Sequence, residues 1–565
     1  MPTGSIDQII ENVFGPVATV LSNIVFFAPK IGGVEIPLIV VWLMIGAIFL
    51  TVWLRFQPIT GLIHSLHVIR GRFTRKTDPG EVSSFQALAT ELSGTVGLGN
   101  IAGVAVAISV GGPGAALWII IFGFFAMSMK MAEATLGVKY REVDEDGRTA
   151  GGPMYYLKNG LAEIGRKRTG AVLAGLYAVF TLVGVFGAGN LFQGNQAATI
   201  IADQTGSTFL IDNRWIIGVV MAVFAAVVIL GGITSIAKWT SKITPLMAVV
   251  YIGCVLAVLV ANISHLPHAV VTIFTGALTA DGVAGGAIGV AVVGIQRALF
   301  SNAAGVGTAG MAHSAVKTKD PATEGFTAMW EPLVDSIIVC TLTALAITVT
   351  GAYQGGGAGS DGIAMTSAAF GTVASWFPIV LTVAVALFAF STVLSYAYYG
   401  QLAAAYLFGR GRVVEKVFQI CWIVAVVVGA AISLDSVIAF SDAMFFLMTI
   451  PNLIGLYALS KILRLEILRH RKRVEVGTIE QVPSELAVGM GDHEPTDAQV
   501  RAAEREEREF ADHVDEVKAA LEADPDFPVP PAGDDVADGA SVRDGRAKEG
   551  QAHEDLAQES PVKDN

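Results

Sequence analysis

The sequence of 565 residues is poor in charge, in cysteine and in histidine. Only 15% of its residues are charged and its mean hydropathy is +0.59, whereas a soluble domain carries about 25% charged residues. This shortage of charge excludes an ordinary soluble protein and predicts a polytopic membrane protein. The cysteines Cys254, Cys340 and Cys421 lie far apart in apolar stretches, so no disulfide framework is expected. The nine histidines show no metal-ligand or nucleophile–base spacing. We therefore expect neither an enzyme nor a cofactor.

Two segments with known roles are also missing. No phosphate-binding loop of the Gly-x-x-x-x-Gly-Lys-Ser/Thr type occurs, so energy for any transport is expected from an ion gradient. The first ten residues, MPTGSIDQII, lack the basic region of a secretory signal, and we expect no cleavage there.

The net charge of −12 is unevenly distributed along the chain. Residues 474–565 hold 25 acidic and 8 basic residues, a net charge of −17, whereas residues 1–473 have a net charge of +5. We expect three parts: an outer segment at 1–35, a membrane domain at 36–473 and a cytoplasmic tail at 474–565. The tail is rich in Pro, Asp and Gly and is expected to be largely disordered, with a charged helix over 496–522.

Apolar stretches of about 20 residues fit a bilayer core. We predict eleven spans: 36–56, 86–109, 113–136, 172–202, 214–233, 243–262, 284–303, 327–350, 376–407, 414–433 and 437–463. Every second segment that connects the predicted spans lies on the same side of the membrane. The segments on one side carry 21 Lys and Arg residues, and those on the other side carry only Lys30 and Arg214. Because Lys and Arg are retained in the cytoplasm, we predict an external N-terminus and a cytoplasmic C-terminus in the plasma membrane.

Glycines and polar residues interrupt the second apolar stretch. Residues 93–105, SGTVGLGNIAGVA, contain four glycines within ten positions. Each interior glycine costs a helix about 1 kcal/mol relative to alanine, and broken backbone at this depth requires a protein-lined or water-filled surrounding. We interpret this as a broken helix whose freed amides bind an anionic group and whose freed carbonyls bind a cation. Two alternatives are close helix packing through small residues and, less well supported, a potassium-channel filter.

Six blocks of sequence are distinctive: GNIAGVAVAI with GGPGA (99–115), GGPMYYL (151–157), FGAGNLFQGNQ (186–196), RALFSNAAGVGTAGMAHSA (297–315), LVDSIIVCTLTA (333–344) and FAFSTVLSYAYYG (388–400). Together they resemble the alanine or glycine:cation symporter family, which has the leucine-transporter-like fold. The family usually has Glu at Ala303, Thr at Leu98, Gly at Ala298 and Thr at Ser336, so this chain departs from its pattern at four positions.

The resemblance implies an all-α membrane protein with a ten-helix core, built from two inverted five-helix repeats with broken first and sixth core helices. It implies Na⁺-coupled import of a small neutral amino acid, alanine or glycine, by alternating access. Coupling to H⁺ is the alternative, and an ion channel a more remote one. The expected partners are the amino acid, Na⁺ and the lipid bilayer, with no nucleic acid, and we expect a monomer.

The resemblance also implies a set of site residues. A sodium ion is expected between the broken first core helix and the eighth, on the carbonyls of Ser93, Val96 and Phe388 and the hydroxyls of Ser391 and Thr392. The two hydroxyls could instead bond back to their own helix. Asn100 is either a ligand of another sodium ion or a brace for the unwound backbone.

Substrate contacts are expected at both breaks. In the first we name Thr95, Gly97, Leu98 and Gly99. In the sixth core helix we place the break within residues 282–294, at Gly285, Gly286 and Gly289, where close packing is the alternative. Gln193 is expected to reach the substrate from the third core helix.

Four carboxylates lie within predicted spans, where ionisable side chains are costly and usually have a function. Asp335, beside Ser336, is expected to tune the cation site or a gate. Glu133 is expected to form an ion pair with Lys130 or Arg141. Glu91 could accept a proton or pair with Arg297. Asp442 is the fourth.

Overall fold

In the computed structural model we describe residues 19–31, 34–75, 78–144, 148–279, 286–354, 362–432 and 434–476, and only the backbone of Gly362 and of residues 434–439. These residues belong to the first of two compact units, residues 1–510. Most of the predicted tail, including the helix expected over 496–522, lies outside the described residues, as do parts of the segment 1–35.

The described chain is almost entirely helical. The helices used below are α1 (Leu38–Trp53), α2 (Leu62–Ile69), α3 (Ser84–Thr95), α4 (Val104–Gly111), α5 (Ala115–Lys139), α6 (Lys167–Phe186), α7 (Phe192–Thr205), α8 (Trp215–Ile229), α9 (Gly232–Ala261), α10 (Leu266–Thr279), α11 (Gly286–Asn302), α12 (Thr308–His313), α13 (Pro321–Ala328), α14 (Cys340–Thr350), α15 (Gly362–Gly371), α16 (Phe377–Phe408), α17 (Arg412–Ala431), α18 (Leu434–Ala458) and α19 (Ser460–Val476).

Short irregular elements connect and interrupt these helices. π-helical turns lie at Gly99–Gly103, Tyr156–Gly160, Gly187–Leu191 and Leu333–Val339. Two antiparallel ribbons pair β1 (Lys30–Ile31) with β2 (Val34–Glu35) and β3 (Glu142–Val143) with β4 (Thr149–Ala150). Three of these turns, Gly99–Gly103, Gly187–Leu191 and Leu333–Val339, interrupt membrane helices. Because π-turns widen a helix locally and occur often at functional sites, we expect a functional site in the middle of the bundle.

The helices have the length and composition of membrane spans. Among the described residues, seven helices are long and apolar enough to cross a bilayer, and one bent pair, Ser84–Thr95 with Gly99–Gly111, passes as an eighth. Leu38–Trp53 and Trp215–Ile229 are shorter apolar helices. The all-α membrane fold predicted from the sequence is therefore confirmed, whereas the number of eleven spans stays a prediction.

The predicted break in the first core helix is confirmed. Helix α3 ends at Thr95, Val96 has an extended ψ of 96°, and a π-turn resumes at Gly99 before α4. The two halves meet at an angle of 49°. Gly97 and Gly99 allow this close approach of neighbouring elements, since a Cβ on Gly97 would lie 3.1 Å from Oγ1 of Thr392.

The sixth core helix is also broken, but the predicted position of the break is wrong. Gly285 lies outside the described residues, while Gly286 begins α11 and Gly289 is buried within it. The helix instead stops at Asn302 and resumes as α12 at Thr308. Between them Ala303, Gly305 and Gly307 have φ values of 53°, 87° and 98°, which a right-handed helix does not allow. From Gly286 to Gly294 the run is therefore helical, and Gly294 packs closely against α5, where a Cβ on it would lie 2.5 Å from the carbonyl oxygen of Ala115.

Several basic loops come together at one end of the bundle. Arg141, after α5, donates to the carbonyl oxygens of Ser314 and Thr318 at 2.9 and 2.7 Å and to that of Pro79 at 2.8 Å. We call the end of the bundle at which Arg141 makes these contacts the basic end. It is the end that the charge distribution predicts to be cytoplasmic.

Helix α5 packs against the second half of the sixth core helix with almost no side chain between them. A Cβ on Gly137 would lie 2.3 Å from the carbonyl oxygen of Gly310. We therefore expect Gly137→Ala to lower the free energy of unfolding by about 1–3 kcal/mol, as overpacking of a core does. The measurement is the temperature at which half of the detergent-solubilised protein leaves the monodisperse chromatographic peak. Gly175→Ala is the matched control, because a Cβ there meets open space. Equal stability of the two variants would contradict this packing.

Candidate functional site

A small cavity lies between the two broken helices. It is lined by Gly94, Thr95, Gly97, Leu98, Gly99, Ala188, Gln193, Phe300, Ser301, Thr392, Tyr396 and Phe445. These residues come from both sides of the first break, the π-turn before α7, the first turn of α7, the end of α11, and helices α16 and α18. The cavity volume is about 20 Å³, close to the space of one water molecule. A larger solute can enter only if the lining side chains move.

Four neutral oxygens converge beside this cavity. The carbonyl of Ser93 accepts hydrogen bonds from Oγ of Ser391 at 3.3 Å and Oγ1 of Thr392 at 3.0 Å. The same two hydroxyls also donate to the carbonyl of Phe388, at 2.9 and 3.0 Å. The back-bonding considered from the sequence therefore occurs, together with a bond across to the broken helix. Val96, the fifth predicted ligand, is buried at the helix end, where its extended ψ turns its carbonyl away from the helix direction.

Asn100 braces the unwound backbone. Its Oδ1 accepts from the amide of Gly97 at 2.8 Å, and its Nδ2 donates to Oδ1 of Asp335 at 2.6 Å. The other oxygen of Asp335 accepts from the hydroxyls of Ser301 and Ser336, at 2.9 and 2.8 Å. Asp335 thus ties the first break to α11 and to the π-turn that carries it. All five side chains or backbone groups are buried.

The side-chain amide of Gln193 uses its nitrogen, but not its oxygen, in hydrogen bonds among the described residues. Its Nε2 donates to the carbonyl of Ala188 at 3.0 Å, which fixes the orientation of the amide group. Its Oε1 is buried and has no hydrogen-bond partner within the described residues. The side chain lines the cavity. A buried acceptor without a donor is costly, so this oxygen is available to a donor group of a solute.

A carboxylate stabilises the second break. Oε1 of Glu133 accepts from the amides of Gly305 and Gly307 at 2.8 and 3.1 Å and from Nδ2 of Asn452 at 3.0 Å. These amides precede the N-terminus of α12, where an anion is favoured. The expected ion pair of Glu133 with Lys130 or Arg141 is therefore wrong, because freed backbone amides take its place.

The pairing suggested for Glu91 with Arg297 is also wrong. Oε1 of Glu91 accepts from Nζ of Lys130 at 2.6 Å and from Oγ1 of Thr308 at 2.5 Å, and Tyr399 donates to Oε2. Glu91 is one turn before the break, so this contact joins α3, the first half of the first core helix, to α12, the second half of the sixth.

The predicted residues are only partly brought together. Thr95, Gly97, Leu98, Gly99, Gln193 and Thr392 line the cavity, whereas Gly286 and Gly289 do not. The sequence analysis missed the aromatic lining, Phe300, Tyr396 and Phe445. Phe300 and Tyr396 lie inside two of the sequence blocks quoted above. Within the described ranges, no group of three or more His, Cys, Asp and Glu side chains is placed to hold a metal ion.

Two broken membrane helices that offer freed amides, carbonyls and hydroxyls to one internal cavity are the arrangement of a secondary transporter. The comparison with protein families agrees and is more specific. The model of the sodium:alanine symporter family matches residues 21–483, and the chain belongs to that family.

Curated relatives match over most of their length. The sodium/alanine symporter AgcS of Methanococcus maripaludis is 40% identical over 426 residues, which are 75% of this chain and 92% of that protein. The probable sodium/glutamine symporter GlnT of Bacillus subtilis is 32% identical over 428 residues, 75% of this chain and 86% of that protein. Among solved structures, MhsT in complex with L-phenylalanine is 15% identical and covers 69% of this chain and 99% of its own, with a TM-score of 0.44.

The role of Glu133 generates a prediction. Glu133→Ala leaves the buried amides of Gly305 and Gly307 without an acceptor, at a cost of about 1–3 kcal/mol for each. Glu133→Gln keeps an acceptor oxygen for both amides and should retain most of the stability. The thermal stability of the detergent-solubilised variants measures this difference. If both variants unfolded at the same temperature, the carboxylate would not hold the break.

Proposed function

We propose that the protein imports a small neutral amino acid, alanine or glycine, together with Na⁺ by alternating access. The observation that carries this proposal is the convergence of the Ser93 and Phe388 carbonyls with the Ser391 and Thr392 hydroxyls beside the cavity. These oxygens come from two different helices, so an ion bound by them depends on how the helices are placed. Family membership supports Na⁺ as the coupling ion.

The chemistry of the four oxygens suits Na⁺. Hard cations prefer oxygen ligands, and Ca²⁺, of nearly the same radius as Na⁺, takes them at about 2.3–2.6 Å. Oxygens that lie 2.9–3.3 Å apart in hydrogen-bonded pairs can surround such an ion once the hydroxyl hydrogens rotate away. A set of neutral oxygens holds a single charge without a strong counter-charge, so the ion can also leave. Thr392 belongs to this set and to the cavity lining, which links ion and solute directly.

The polar groups around the cavity suit a zwitterion. In the proposed complex the amides at the first break, Leu98 and Gly99 among them, face the carboxylate of the amino acid. Oε1 of Gln193 accepts from its ammonium group, because this oxygen has no donor of its own within the described residues. The sequence analysis expected Gln193 at the substrate, and the acceptor role assigns it to the ammonium end.

The size of the cavity favours the smallest amino acids. Its volume of about 20 Å³ must grow for any solute, and Phe300, Tyr396 and Phe445 limit how far it can grow without repacking. The relatives are named for alanine and for glutamine, and the aromatic lining supports the smaller of these. We further propose that the basic end faces the cytoplasm and that the protein works as a monomer.

The direct test is uptake of labelled alanine and glycine into proteoliposomes. We expect uptake to follow an imposed inward Na⁺ gradient and to be weak for glutamine. Uptake driven by an imposed H⁺ gradient without Na⁺ would mean that H⁺, not Na⁺, is the coupling ion. Uptake insensitive to both gradients would overturn the proposal.

Thr392 offers a test of the cation site. Thr392→Ala removes one of two hydroxyl ligands, so we expect the Na⁺ concentration for half-maximal uptake to rise about tenfold or more, since a hydrogen-bonding group near a charge is worth about 1.5–3 kcal/mol. Uptake at saturating Na⁺ should be affected less. Thr382→Ala is the matched control on the same helix, where the hydroxyl bonds back to Pro378. A loss that is equal at all Na⁺ concentrations would reject the assignment.

Gln193 offers a test of the substrate site. Gln193→Leu removes the acceptor proposed for the ammonium group, and we expect the KM for alanine to rise about tenfold or more. Gln196→Leu, one turn away on α7, is the control, because Gln196 bonds to Asn195 and is absent from the cavity lining. An unchanged KM in Gln193→Leu would exclude this contact.

A further inference from the structure

A chain of buried charged side chains leads from the first break towards the basic end. Glu91 is bonded to Lys130, as described above, and Nζ of Lys130 also lies 3.1 Å from Oε2 of Glu331. Oε1 of Glu331 lies 2.7 Å from Nε2 of His313, and Nδ1 of His313 lies 2.6 Å from Oε2 of Glu324. All five side chains are fully buried. None of the last three belongs to the proposed substrate or cation site.

The two contacts of His313 require an additional proton. A neutral imidazole carries one N–H and an ionised carboxylate carries none. Because both ring nitrogens face carboxylate oxygens at hydrogen-bond distance, either the imidazole is doubly protonated or one carboxyl group is protonated. In both cases the group of His313, Glu324 and Glu331, which we call the proton triad, holds one proton more than a neutral histidine with two carboxylates.

The surroundings of the proton triad make this proton necessary while the region is closed. Glu91 and Glu133 add two carboxylates. Among the described residues, the cations beside these groups are the ammonium of Lys130 and the partly exposed guanidinium of Arg141 near Glu324. Without the triad proton, four buried carboxylates would therefore face two positive charges. Oε2 of Glu133 already has no hydrogen-bond partner within the described residues. Uncompensated buried charge is strongly destabilising, so loss of the proton favours entry of water into this region.

The inner half of the first core helix covers the proton triad. The hydroxyl of Ser84, at the start of α3, donates to Oε1 of Glu324 at 2.6 Å. About two turns further on, Glu91 is held by Lys130, Thr308 and Tyr399. The break after Thr95 allows α3 to move separately from α4. If α3 moves away, Glu324 loses its cover and the triad meets water.

We propose that the proton triad is a proton-binding site that exchanges with the cytoplasm and keeps the basic end closed while it is occupied. The inference rests on the proposed function and adds a regulation to it. When α3 moves away, the proton passes to cytoplasmic water, and it returns from the same side on closing. No proton crosses the membrane with the substrate. This separates the proposal from H⁺ symport.

The direction of the pH effect follows from linkage. The closed form keeps the proton, whereas an imidazole in contact with water titrates near pH 6.5. Below that pH both forms are protonated, so pH does not shift the balance between them. Above it only the closed form binds the proton, and each further pH unit favours the open form by up to about tenfold. Net uptake should therefore rise as the cytoplasmic pH rises above about 6.5.

Other titratable groups at the basic end have to be separated from this effect. The groups that face the proton triad are Lys130 and Glu133 on α5, Glu91 on α3 and Tyr399 on α16, with Arg141 near Glu324. A pair of histidines, His64 and His470, also lies at this end, with their Nε2 atoms 2.8 Å apart. Burial lowers the pKa of His64 to about 3, so His64 stays neutral at cytoplasmic pH.

The decisive variant is Glu324→Gln. The amide has the shape of the carboxyl group and can donate to Nδ1 of His313 while its oxygen still accepts from Ser84. The histidine can then remain neutral and donate to Glu331, so the closed form no longer needs an extra proton. Glu331→Gln is the mirror variant, and it serves in the same way if Glu324→Gln does not reach the membrane.

The experiment uses right-side-out membrane vesicles, in which all copies share one orientation. Uptake of labelled alanine is driven by a fixed Na⁺ gradient at constant external pH, while the internal pH is set between about 6 and 9. We expect wild-type uptake to rise with internal pH and uptake by Glu324→Gln to be independent of it. Glu466→Gln is the matched control, a carboxylate at the basic end that pairs with Lys139 at 2.7 Å, and it should keep the wild-type slope.

Three outcomes would overturn the inference. They are a wild-type uptake that does not vary with internal pH, a wild-type slope in Glu324→Gln and Glu331→Gln, and alanine-dependent entry of protons reported by a trapped pH dye. Failure of the proposed function looks different, because uptake would then not depend on the Na⁺ gradient at any pH.

Discussion

Every unpaired backbone group in the middle of a membrane protein has to find a partner, and this requirement explains how the two broken helices are built. At the first break the amide of Gly97 is taken by Asn100, which is held in turn by Asp335. At the second break the amides of Gly305 and Gly307 are taken by Glu133. Each break therefore has a polar side chain from the bundle assigned to it. At the first break, Gly97, Leu98 and Gly99 line the cavity.

The polar groups of the bundle fall into two sets with different electrical character. Around the cation candidate they are neutral carbonyls and hydroxyls, which can exchange a hydrogen bond for an ion at small cost. Towards the basic end they are full charges that are buried and paired, and these are expensive to separate. The neutral oxygens suit the binding and release of an ion. The paired charges suit a contact between helices that is either fully formed or fully separated. We assign the second set to the closure of one side of the transporter.

The sequence was informative where a local pattern determined the structure. Glycines mixed with Ser93, Thr95 and Asn100 predicted the first break correctly, because polar residues in an apolar run need a purpose at that depth. The run 282–294 has the glycines without polar residues, and it remains helical where it is described. The observed second break lies beside Ser301 and Asn302. It therefore has glycines together with polar residues in an apolar run, as the first break has. The partners of Glu91, Glu133 and His313 are tertiary contacts between distant segments, and no spacing in the sequence indicates them.

In the proposed function the ion and the amino acid share the first break, and their mutual effect on binding tests this sharing most directly. The measurement is the Kd of the purified protein for alanine, by calorimetry, with saturating Na⁺ and with Na⁺ replaced by choline. Because Thr392 belongs to the proposed cation site and to the cavity lining, Na⁺ should tighten alanine binding by about 5- to 150-fold, the range usual for coupled sites. Alanine affinity that is the same in Na⁺ and in choline would contradict the shared site.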